Sequence, residues 1–207
     1  MPKYNVKLER TITREVFGKL LDRVDQVDRC GYSPDFVKSL MVALYYSGFR
    51  ISEWIGAIPH KVVLKNGGHH YTARFPALVR EQMWLDHNLL FVQQVARKNG
   101  HREAPIQIPI DMPYVDLLVN RWQATPLGKP VFPISTPTWY RIIKRIDPKL
   151  YNHFFIMNRL TKQASDPEIS MIEQEDWSGK SPVTIAKYRA HAGRDTRHAG
   201  ERLKLEA

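Results

Sequence analysis

The stretch at residues 40–54, LMVALYYSGFRISEW, constrains the fold more than any other part of the chain. Its first half reads as an apolar helix. Ser33 followed by Pro34 is the N-cap pattern, with proline at the first helical position, where its missing N–H costs nothing. The helix from there carries Phe36, Leu40, Met41, Leu44 and Tyr45 inward and stops at Gly48. Arg50 then stands on a turn, directly before Ser52 and Glu53. A second anchor lies far downstream in KSPVTIAKYRAH, where Ser181-Pro182 starts a predicted helix that carries Tyr188.

The chain has 207 residues, which fits one domain of ordinary size or one domain with extensions. Hydrophobic residues make up 43%, enough for a real core, and no run approaches the roughly 18 apolar residues of a membrane span. The opening MPKYNVKLERT is charged and lacks the apolar h-region of a secretory signal. The single cysteine, Cys30, can form no internal disulfide and fits a reducing compartment. The expected setting is therefore cytoplasmic or nucleoid-associated, or the host cytoplasm for a viral chain, with no membrane. Thirty-one Lys and Arg oppose 21 Asp and Glu, a net charge of +10. That excess favours a polyanionic partner, nucleic acid first, with a basic surface kept for solubility as the other reading.

The remaining pattern is mainly helical. Thr13 caps a helix whose Val16, Leu20, Leu21 and Val24 form one apolar face. Residues 58–84 carry a turn signal at Asn66-Gly67-Gly68, between short strands at 62–64 and 70–75. Their segment HHYTARF mixes basic and aromatic residues, which suits either nucleic-acid contact or an ordinary strand with a polar face. Residues 88–95 read as a strand, Asn99-Gly100 as a tight turn and residues 104–110 as the partner strand, the clearest hairpin in the chain. Asp111 is expected to cap a helix to about Trp122, and Thr136-Pro137 to begin another through Ile146. Further helices are expected over 150–163 and from Asp166-Pro167.

Four stretches in this order resemble the catalytic domain of the tyrosine recombinases, the phage-integrase family. LMVALYYSGFRISEW is similar to the helix and turn that hold that family's first catalytic arginine. RKNGHREAPI is similar to the hairpin whose turn holds its catalytic lysine. PVFPIS followed by TPTWYRIIKRI is similar to the segment leading to its central His-x-x-Arg motif, and WSGKSPVTIAKYRAH to its nucleophile helix. The resemblance spans Thr11 to about His191, nearly the whole chain.

The resemblance implies a mainly helical α+β chain with the DNA breaking-rejoining catalytic-domain fold and a small antiparallel sheet built on the hairpin near 88–110. Residues 1–10 would be an N-terminal extension, 11–191 the catalytic-like domain and 192–207 a C-terminal tail. It implies strand cleavage and rejoining through a 3′-phosphotyrosyl intermediate on double-stranded DNA. Cofactors would be none and metal none, because the covalent link conserves the phosphodiester energy. Self-association on DNA, as a dimer or tetramer, follows from the same likeness. Arg50 carries over as a phosphate clamp, a role suited to the planar fork of guanidinium. Tyr188 carries over as the nucleophile and Lys98 as the general acid, with Arg97 as the other occupant of that place.

The central motif departs from the family. Lys149-Leu150-Tyr151-Asn152-His153 aligns with it, so Lys149 replaces the first histidine and Asn152 the second arginine. His153 is a substitute acid/base or a packing residue. The family's last histidine or tryptophan falls at Gly179, with Trp177 two residues earlier. About a dozen residues precede the catalytic-like domain, where typical members carry an N-terminal helical domain. The chain would then be a half-clamp, be completed by another protein, or be a fragment. Two functions stand on this reading: an integrase-like recombinase with a divergent site, or a catalytically inactive recombinase-derived regulator that binds DNA.

Overall fold

A computed structural model describes residues 12–58, 61–71, 76–93 and 105–150, together with residues 172 and 186. Helix α1 spans Arg14–Val24, α2 Pro34–Ser47 and the short α3 Ile51–Ile55. Strands β1 (Lys61–Val63) and β2 (His69–Tyr71) follow, then β3 (Met83–Asp86), β4 (Leu89–Val92) and β5 (Ile106–Pro109). Helices α4 (Val115–Gln123) and α5 (Thr136–Ile146) come next. The chain is mainly helical with a small antiparallel sheet, the class its sequence pattern implies. Among the described residues no helix is long and apolar enough to cross a membrane.

The core is organised around α2. Val37, Leu40, Met41, Val42, Ala43 and Leu44 are all fully buried, on every side of the helix, and a helix that is apolar all round belongs inside. Apart from Ala43, each such side chain contributes on the order of 1.5–3 kcal/mol by leaving water. Ser33 caps the helix through its hydroxyl, which accepts from the Phe36 N–H at 3.2 Å. α1, α4 and β5 pack around α2. Against α1 the contact is aromatic, with the rings of Phe17 and Tyr45 stacked at 4.1 Å. That stacking decides which face of α1 turns inward. Phe17, Leu20, Leu21 and Val24 are buried, while Val16, expected on the apolar face, is 46% exposed. Both residues fit an i, i+4 pattern with the leucines, so periodicity could not separate them.

The arms of the predicted hairpin pair as antiparallel strands, shorter than expected, with Leu90 opposite Ile108 and Val92 opposite Ile106 and all four side chains buried on one face. Its turn, at 94–104, lies outside the described residues. The structure adds β3 on the other side of β4, joined through His87 and Asn88. His87 takes a left-handed φ of 50° there. A four-residue strand before a turn without glycine carried too little pattern to be read. Both strands of the other pair start one residue earlier than expected, at Lys61 and His69; Leu64 already belongs to the turn, its N–H donating to Gly68 O at 2.7 Å, and residues 72–75 lie outside the described residues.

α4 begins at Val115 rather than after a cap at Asp111. Proline at 113 disfavours helical backbone at Met112, and the chain turns first, with the Val115 N–H reaching Met112 O at 3.2 Å. α5 has the expected span, capped by Ser135, whose hydroxyl accepts from the Thr138 N–H. The helices expected over 150–163 and after Asp166 and Ser181 fall mostly outside the described residues. Ile172 and Ala186 are each helical.

Candidate active site

Arg50 is presented by a turn whose backbone is held from both sides. α2 ends because Gly48 adopts a left-handed φ of 62°, its N–H still bonded to Leu44 O at 3.0 Å. A side chain at that φ costs roughly 1–2 kcal/mol, which glycine avoids. Ser47, buried at the last helical position, then accepts two hydrogen bonds on its hydroxyl oxygen. One comes from the Phe49 N–H at 3.1 Å and the other from the Trp54 indole N–H at 3.0 Å. Phe49 and Trp54 also meet ring to ring at 5.8 Å, and Trp54 stands edge-on to Phe132 at 5.6 Å. The Trp54 carbonyl accepts from the Leu78 N–H, which ties α3 to the following segment.

On the other side of the turn, the Arg50 N–H donates to the Glu53 carboxylate at 2.6 Å, and the Glu53 N–H donates back to Arg50 O at 2.9 Å. Glu53 is 6% exposed. A carboxylate at the third position of a helix, bonded to the cap residue's N–H, is half of a capping box. Arginine has no side-chain acceptor, so its carbonyl supplies the other half. The Glu53 carboxylate is therefore spent on the backbone rather than on the Arg50 guanidinium. The Arg50 residue is exposed, and among the described residues no hydrogen bond or ion pair engages its guanidinium. A rigid backbone below an uncommitted, always-charged group is an arrangement suited to meeting an anion.

Lys149 is the second candidate the structure describes. It follows α5 in a turn built by Asp147, whose carboxylate accepts from the Lys149 N–H at 2.8 Å and whose carbonyl accepts from the Leu150 N–H at 2.9 Å. The other carboxylate oxygen meets Arg23 of α1 at 3.3 Å. Leu150 is 5% exposed and anchors the turn, while Lys149 is exposed. α3 packs on α5, the element that delivers Lys149. Arg97, Lys98, Asn152, His153, Trp177, Gly179 and Tyr188 lie outside the described residues. Ala186, two residues before Tyr188, is helical and exposed.

Sequence reasoning missed Ser47 as the residue that fixes the Arg50 turn. A serine at the end of an apolar helix carries no sign of its partners. Glu53 was visible three residues after Arg50, and its role was legible from the capping-box spacing.

A scan against protein-family models and a search of curated proteins each find no match. Among solved structures, the chain is similar to the XerH site-specific recombinase bound to difH substrate in a pre-cleavage complex. The TM-score is 0.58 at 14% identity, over 88% of this chain and 50% of that one. It is also similar to XerH bound to a palindromic difH substrate in a post-cleavage complex, with a TM-score of 0.57 at 13% identity, over 92% and 52%. The chain thus spans about half the length of the solved chains it resembles. Its fold resembles the tyrosine-recombinase catalytic domain.

Proposed function

We propose that the chain is a DNA-binding tyrosine recombinase of the integrase type, cleaving and rejoining strands through a 3′-phosphotyrosyl intermediate, with residues 11–191 as its catalytic domain. The observation that carries this is Arg50, exposed on a turn locked by Ser47 and Glu53, with no hydrogen bond or ion pair to its guanidinium among the described residues. The likeness of the fold to DNA-bound XerH supports the choice of polymer, as does the net charge of +10.

In this mechanism the Tyr188 oxygen attacks a DNA phosphorus. A new P–O bond forms to the tyrosine as the bond to the 5′ oxygen breaks, and that oxygen leaves as a hydroxyl. Arg50 and Lys149 hold the non-bridging oxygens, and Lys98 protonates the leaving oxygen. The tyrosine, with an ordinary pKa of about 10, passes its proton to His153, the candidate acid/base, or to water as it attacks. A 5′-hydroxyl of a second strand reverses the step, on DNA held by two or four copies of the chain.

Asn152 favours a second reading. It donates only neutral hydrogen bonds where an arginine would place a charge, and loss of one such donor slows a reaction about a hundredfold to a thousandfold. A recombinase-derived regulator that binds DNA without cutting it would carry such a change. A suicide duplex, nicked so that the cleaved strand diffuses away, separates the two. The enzyme reading expects a covalent adduct on a denaturing gel that is absent in Tyr188→Phe and strongly reduced in Arg50→Ala. Intact DNA binding with no adduct at saturating duplex would sink it in favour of the regulator.

A further inference from the structure

Between Glu53 and Glu81 the chain has no acidic residue, yet it carries Lys61, Lys65, Arg74 and Arg80 with His60, His69 and His70. The centre of this span is the β1–β2 hairpin. Among the described residues its two strands pair only with each other, apart from the β3–β4–β5 sheet. Val63 stands opposite His69 in the antiparallel register, and Lys61 lies two residues before Val63. Alternation puts these three side chains on one face, and all three residues are exposed, Val63 at 69%. Lys65 is exposed on the turn, which closes through Asn66, whose side chain accepts from the Gly68 N–H, and Gly67, at a φ of 81°. Nearby Ile58 is 85% exposed.

A two-stranded ribbon has little stability of its own, and a β-branched residue at its centre gains nothing from facing water. The face is open to a partner, and its charge favours an anionic one. A second copy of the chain would bring another +10 toward it. A phosphate backbone complements Lys61 and Lys65, and the stem of Val63 fits the apolar edge of a sugar. The hairpin is separated from α3, the helix that Arg50 caps, only by residues 56–60.

We propose that the β1–β2 hairpin is a second duplex-DNA contact, in which Lys61 and Lys65 each engage a backbone phosphate away from the scissile one. This rests on the DNA-binding reading above. The test measures duplex affinity of the full chain across a salt series. Each phosphate contact contributes about 0.9 to the slope of log K against log salt. The double variant Lys61→Gln/Lys65→Gln is therefore expected to bind more weakly, with a slope shallower by about 2. Lys61→Arg/Lys65→Arg is expected to keep the wild-type slope. Both lysines are exposed, so thermal midpoints should match the wild type. A double-Gln variant with the wild-type slope overturns the hairpin contact and leaves the DNA-binding reading standing, the result expected if the hairpin instead docks a protein. A wild-type chain that binds no duplex overturns both.

Discussion

Ser47 shows how one hydroxyl at the end of a core helix holds the turn that presents Arg50. Its oxygen is the acceptor for the Trp54 indole in a buried setting. Ser47→Ala leaves that donor without its partner, at a cost of about 1–3 kcal/mol. The urea midpoint is expected to fall at unchanged m, and an unmoved midpoint would mean that the hydroxyl does not hold the turn. Tyr46, one residue earlier, has a different consequence. Its hydroxyl donates to Pro113 O at 3.0 Å, and burial, helped by Tyr45 beside it, pushes its pKa up to about 12. In the unfolded chain the value is about 10. The folded chain therefore keeps this proton at pH values where the unfolded chain has lost it. The contribution to stability is fully present below about pH 10 and is lost as pH rises toward about 12. Denaturant midpoints followed from neutral into alkaline pH should decline over that window. The decline should be smaller in Tyr46→Phe, which has no proton to lose. Equal declines would remove Tyr46 as the source.

At the scale of elements, the sheet that frames the hairpin arms has two unlike faces. Leu90 is fully buried on the inner face, while Trp84 is 39% exposed and stacks on Phe91 at 5.3 Å across the outer one. Truncating the first opens a cavity in the core, and truncating the second mainly removes one aromatic pair. Leu90→Ala is expected to cost about 2–5 kcal/mol, against about 1 kcal/mol for Trp84→Ala. Chemical denaturation of the two variants side by side checks this. A reversed order, with Trp84→Ala the costlier, would mean that the strands present the opposite faces, since a slip of one residue exchanges them. The same logic explains which elements were legible. The β4–β5 pairing announced itself through alternation on both arms. β3 did not, because its alternation spans four residues and only its partner gives it a direction.

At the scale of the molecule, a fold similar to the catalytic half of a DNA-bound recombinase carries a net charge of +10, and both proposed contacts draw on that field. The acid-free hairpin adds charge at a place where the family resemblance supplied no role. Much of this was readable from the chain alone. The burial of α2, its cap at Ser33, its stop at Gly48 and the placing of Arg50 on a turn follow from composition and spacing within a few residues. Such signals are local, and local backbone preferences act before any tertiary contact forms. Tertiary structure decided the rest. It turned Phe17 rather than Val16 inward because Tyr45 waits opposite. It added β3 to the sheet and linked Arg23 to the Asp147 turn that presents Lys149. A side chain's partner depends on which distant segments arrive beside it, and a hydrogen bond is chosen among groups that the sequence leaves far apart.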